Sequence, residues 1–114
     1  MTRIMIAEDQ TMVRQALVAL LELEPDIEVV AQAASGDEAL AMASRYRPEV
    51  AVLDIEMPGS SGIEVARKLK RDGFGGQVII VTTFGRPGYL RAAMSAGASG
   101  FLLKDSPVDR KSVV

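Results

Sequence analysis

The apolar run Val50-Ala51-Val52-Leu53 ends on Asp54, and a second acid, Glu56, follows two residues later. Burying a carboxylate is costly unless a charge or hydrogen bonds compensate it, so an acid closing a core segment needs a physical reason. The pattern recurs elsewhere. The run RIMIA at residues 3–7 leads into Glu8-Asp9, VIIVT at residues 78–82 leads into Thr82-Thr83, and GFLL at Gly100–Leu103 leads into Lys104. If these ends meet, Glu8, Asp9 and Asp54 form a group of three carboxylates. At about 4 Å and an effective dielectric near ~20, each ionised pair costs about 4 kcal/mol. Such a group stays ionised only around a cation.

The available ligand types narrow the ion. The chain has no cysteine and no histidine, which removes zinc-thiolate sites, disulfides, catalytic triads and imidazole bases. Oxygen donors alone select a hard cation, and a few carboxylates plus water suit Mg²⁺ better than a full calcium cage. Asp9 and Asp54 are expected to bind the ion directly, Glu8 directly or through water, and Glu56 through its backbone carbonyl. Such a half-open site leaves room for phosphate oxygens. Thr82 then supplies a hydroxyl donor and Lys104 a positive charge for an anion beside Asp54. The chemistry described is phosphoryl transfer to a carboxylate nucleophile.

The composition permits this in one globular unit. The chain has 114 residues, 48% hydrophobic and 25% charged, with a net charge of −2. That length suits one domain, and the acidic balance gives the domain itself no nucleic-acid signature. No apolar run approaches the ~20 residues of a membrane span. The absence of cysteine fits the cytoplasm, and no membrane partner is expected.

Strand and helix signals alternate along the chain. β-rich runs occur at residues 3–7, Ile27–Ala33, residues 50–53, residues 78–82 and Gly100–Leu103. Between them, a first helix stripe of Met12, Val13, Ala16, Leu17, Leu20 and Leu21 stops before Pro25. A second helix opens at Ser35-Gly36-Asp37-Glu38, a capping box, and buries Ala39, Leu40, Ala43 and Tyr46. A third opens at Ser61-Gly62-Ile63-Glu64 and runs through Ala66 and Leu69. A fourth has Pro87 near its start, points Leu90, Ala93 and Met94 inward, and stops at Gly97. Five strands alternating with helices imply an α/β fold, a doubly wound parallel sheet covered on both faces. Open sheets of this kind bind ligands at the carboxyl ends of their strands. In the order 2-1-3-4-5, the first and third strands are neighbours, and Glu8, Asp9 and Asp54 share one crevice.

Taken singly, each residue has an ordinary reading. Asp9 is a helix cap, Glu8 a solvated loop acid, Thr82 a hydroxyl bonded to local backbone. Lys104 is a surface lysine, Glu56 part of a turn and Phe101 a core ring. Independent turn acids would not gather on adjacent strands, so the joint reading prevails.

With those residues in place, the chain resembles the receiver domains of two-component response regulators over nearly its whole length. The residues carrying the resemblance are Glu8-Asp9, LDIEMPGSSG around Asp54, Thr82-Thr83, and GFLLKD with Phe101 and Lys104. The resemblance implies a flavodoxin-like fold and Mg²⁺-dependent phosphorylation of Asp54 by the phosphohistidine of a sensor histidine kinase. Thr82 would bond the phosphoryl oxygens, Lys104 would pair with them, and Phe101 would move with Thr82 as a switch. The stretch TTFGRPGYLRAAMSAGASGFLLKDS is similar to the NarL/LuxR-like branch, and distantly to regulators of membrane-fluidity sensors. A phosphorylation-linked homodimer and control of transcription follow from that branch. Asp105 stands where many members have proline, and Phe101 where others have tyrosine or histidine.

Residues 107–114 are expected to form a shortened or atypical fifth helix, and the DNA-binding output domain to lie outside residues 1–114. DNA would then be reached only through that domain. Two rival classes remain. A hydrolase passing through an aspartyl phosphate resembles D-x-D-x-[TV] after a first strand, whereas here the acid closes the third run and the +2 residue is Glu56. A receiver-like interaction module that cannot be phosphorylated would not need the full acid, threonine and lysine set. The expectation is therefore a phosphoacceptor domain rather than a turnover enzyme, with some uptake from small donors and self-dephosphorylation.

Overall fold

The β-rich runs become five parallel strands, and the segments between them become four helices, in a computed structural model that describes residues 1–82 and 88–103. The strands are β1 (Thr2–Ala7), β2 (Ile27–Ala33), β3 (Val50–Asp54), β4 (Gln77–Thr82) and β5 (Gly100–Leu103). The helices are α1 (Thr11–Glu22), α2 (Gly36–Tyr46), α3 (Gly62–Arg71) and α4 (Tyr89–Ser95). The sheet order is β2-β1-β3-β4-β5, as expected for this fold. In register, Ala7 lies beside Leu53, Asp54 beside Val81, and Thr82 beside Leu103. The ends of β1, β3 and β4 thereby step outward by one residue each. The expectations for Pro87, Lys104, Asp105 and the fifth helix lie outside the described residues.

One face of the sheet carries the main core. Met5, Ala51, Leu53, Val78 and Ile80 are buried there with Ala39 and Ala43 of α2, Val65, Ala66 and Leu69 of α3, and Ala93 of α4. The predicted caps hold these helices. Ser35 Oγ accepts from the Glu38 N–H at 3.1 Å, and Ser61 Oγ from the Glu64 N–H at 3.2 Å. Glu38 reaches back to the N–H of Ala34 at 2.7 Å, one residue earlier than the standard box. At its other end α2 stops at Arg47 in the left-handed region (φ 46°), where Arg3 Nη1 donates to the Arg47 carbonyl at 2.9 Å.

Two packing expectations need correction. Leu90 and Met94 of α4 are 44% and 49% exposed, and only Ala93 of that helix is buried. A seven-residue helix beside the edge strand β5 has only a narrow stripe to cover. On α1, the periodic stripe is real, yet none of its residues is fully buried. With Ile4, Val50, Val52, Ile79 and Val81 of the opposite sheet face, α1 lines an apolar groove of about 820 Å³. Among the described residues, no helix is long and apolar enough to cross a membrane.

Candidate metal and phosphoacceptor site

Asp54 is the last residue of β3 and is 6% exposed. Its surroundings follow from the chain on both sides. Ile55 donates its N–H to the Val81 carbonyl at 3.3 Å, which extends the β3–β4 ladder past the acid. The chain then turns through Met57-Pro58-Gly59, and the Gly62 N–H comes back to the Ile55 carbonyl at 3.0 Å. A Cβ on Gly62 would stand 2.1 Å from the Asp54 carbonyl oxygen, so α3 starts against the backbone of the acid itself. The outer part of that loop is tied to α2, because the Gly36 N–H donates to the Pro58 carbonyl at 3.2 Å.

Glu8 and Asp9 follow β1, the neighbour of β3. Glu8 is 1% exposed, so its reading as a solvated loop acid fails, while Asp9 is exposed. Asp9 does not cap α1 either: the N-cap is Gln10, with no side-chain cap hydrogen bond. One carboxylate oxygen each from Glu8, Asp9 and Asp54 lies within 4.8 Å of the others. Two oxygens on opposite sides of Mg²⁺, bound at about 2.0–2.1 Å, stand about 4.2 Å apart. At most one pair of the three can be opposite, and neighbouring ligands stand about 2.9 Å apart, so binding one such ion would draw the carboxylates together. The donor set fits a hard cation for the same reason: it is oxygen throughout.

Of the remaining predicted residues, three lie among the described ones. Thr82 closes β4 and is 1% exposed. Phe101 is partly buried and packs against the core from β5, paired in register with Ile80. Glu56 has an exposed side chain and is not one of the three grouped carboxylates. Lys104 lies outside the described residues.

One residue near the site escaped the sequence reading. Arg14, half-buried in the first turns of α1, donates from Nη1 to the carbonyl of Glu8 at 2.8 Å. The signal was a basic residue four positions into a helix that starts after two acids, and nothing local distinguishes it from a solvated arginine.

Known proteins resemble this chain in sequence and in fold. The response regulator receiver domain family matches residues 4–112. The chain belongs to that family. Curated relatives include the transcriptional regulatory protein DesR of Bacillus subtilis, 50% identical over 94% of this receiver domain and 53% of DesR. They also include the nitrate/nitrite response regulator protein NarP of Escherichia coli, 41% identical over 91% of the receiver domain and 48% of NarP. Among solved structures, a LuxR-family DNA-binding response regulator from Staphylococcus aureus superposes with a TM-score of 0.89 at 42% identity, covering 94% of this chain and 89% of that one. The similarity thus falls within the NarL/LuxR branch. The chain spans about half the length of the curated relatives it matches.

Proposed function

We propose that this receiver domain takes a phosphoryl group onto Asp54 from the phosphohistidine of a sensor histidine kinase, in the cytoplasm. The observation that carries the reading is a nearly buried Asp54 at a strand end, its carboxylate grouped with Glu8 and Asp9 within 4.8 Å. A carboxylate oxygen of Asp54 attacks phosphorus, the P–N bond breaks, and the imidazole leaves with the electron pair. Glu8, Asp9, Asp54 and the Glu56 carbonyl are the groups that would hold Mg²⁺. The ion, when bound, neutralises the developing charge on the phosphoryl oxygens.

Thr82, one residue beyond Asp54's register partner Val81 on the adjoining strand, hydrogen-bonds the new phosphoryl oxygens through its hydroxyl, and Lys104 pairs with them. Drawing Thr82 inward leaves space for the Phe101 ring, which makes these two residues the switch. Phosphorylation then favours a homodimer and, through an output domain like those of the longer relatives, changes DNA binding and transcription. The domain acts as a stoichiometric acceptor, not as a turnover enzyme.

Incubation with a small phosphodonor and Mg²⁺, followed by intact-mass measurement, tests this. The wild type should gain a single phosphoryl group and plateau, and Asp54→Asn should gain none while keeping the fold. The amide is nearly isosteric with the acid but a poor nucleophile. Labelling of the mutant to the wild-type extent, or continuous phosphate release without a plateau, would overturn the assignment.

A further inference from the structure

The elbow between β1 and α1 has an unusual burden. It must hold the buried Glu8 and the exposed Asp9 toward Asp54, although like charges at this range repel. It also leads into a helix with no side-chain cap and no acid in its first turn, so the helix start contributes little to fixing it. Among the described residues, three of the hydrogen bonds at Glu8 bear on the elbow. Its N–H donates to the Ala33 carbonyl of β2 at 2.9 Å, and its Oε2 accepts from the Gln10 N–H at 3.1 Å. Its carbonyl accepts from Arg14 Nη1 at 2.8 Å. The first fixes the strand end and the second the carboxylate. The third holds the peptide between Glu8 and Asp9, on which the direction of Asp9 depends.

We propose that Arg14 is a positioning residue for the acid group: its guanidinium holds the Glu8 carbonyl and so presents Asp9 to the metal. The proposal rests on the Mg²⁺ reading given above. A charge-assisted hydrogen bond is about twice as strong as a neutral one, and the guanidinium also brings a positive charge to the elbow that carries Glu8 and Asp9. Arg14 thus keeps the elbow assembled before any cation arrives. Its charge alone would disfavour a second cation, so the positioning and electrostatic effects carry opposite signs in a metal titration.

The test is Mg²⁺ titration of wild type, Arg14→Met, Arg14→Lys and Asp9→Asn, with amide exchange of Gln10 measured in metal-free protein. Arg14→Met should weaken Mg²⁺ binding by roughly tenfold, the low end for residues that orient metal ligands. The Gln10 amide should exchange faster in that variant. Arg14→Lys, which retains a charged donor, should recover most of both effects. Unchanged or tighter Mg²⁺ binding in Arg14→Met, with Asp9→Asn weakened, overturns the proposal; the tighter case marks the guanidinium as a repelling charge only. If Asp9→Asn binds Mg²⁺ as wild type does, the metal reading itself fails. Gln10 exchange then decides Arg14 alone: unchanged exchange in Arg14→Met removes its role in the elbow.

Discussion

Among the described residues, the two faces of the sheet are covered differently. Under α2 and α3, small and branched side chains (Ala39, Ala43, Val65, Ala66) close onto the strands, and serine caps fix both helix starts. Under α1, larger side chains line an apolar groove, no residue of the helix is fully buried, and no side chain caps it. An apolar stripe runs along α1 as it does along its counterparts. Apolar periodicity therefore reports which side of a helix faces the sheet, and leaves open how closely it is covered. The face with tight helices also positions Asp54, through Gly62, whereas Glu8 and Asp9 depend on polar ties at the elbow.

The contrast is broken most strongly in the core. Leu69→Ala should lower the unfolding free energy by about 2–5 kcal/mol, whereas Leu20→Ala, at a position 63% exposed, should change it by no more than about 0.5 kcal/mol. Urea denaturation measures both, and similar losses would mean that α1 is covered as tightly as α3. A smaller effect is expected at the helix–acid contact. Gly62→Ala brings a methyl group against the Asp54 carbonyl, and the required shift should cost about 1–3 kcal/mol. Because the displaced backbone is that of the acceptor, phosphoryl uptake should slow in folded protein; wild-type uptake would separate Asp54 from the start of α3. The smallest contrast lies in the caps. Ser35→Ala should cost about 1 kcal/mol, and Gln10→Ala, which removes no cap, clearly less. Thermal melts of the two variants that coincide would sink the idea that the faces differ in their caps.

Much of the fold was legible because its signals are local. Proline and glycine ended the helices near the expected places, with Gly97 in the left-handed region (φ 100°) after α4. The strand at Ile27–Ala33 and the one at Gly100–Leu103 have the expected bounds, and Ser35 and Ser61 cap where the pattern placed them. Leu90 and Met94 misled because their spacing is helical while the covered stripe of α4 is only about as wide as Ala93. Glu8 would have been read as solvated from its neighbours alone, and its burial depends on a strand far along the chain.

The order of strands and helices, the residue types at each strand end and the oxygen-only donor set were determined by the sequence itself, since they depend on hydrophobic period, turn chemistry and composition. Proximity was decided by the tertiary structure. Glu8 and Asp54 are 46 positions apart in the sequence, and pairing of β1 with β3, not any local preference, brings their carboxylates within 4.8 Å. The contact from Arg14 to the Glu8 carbonyl was decided at the same level, because it exists only once the chain has turned from a strand into a helix. Local energies choose the elements; the distances between charged groups follow from how those elements are laid beside one another.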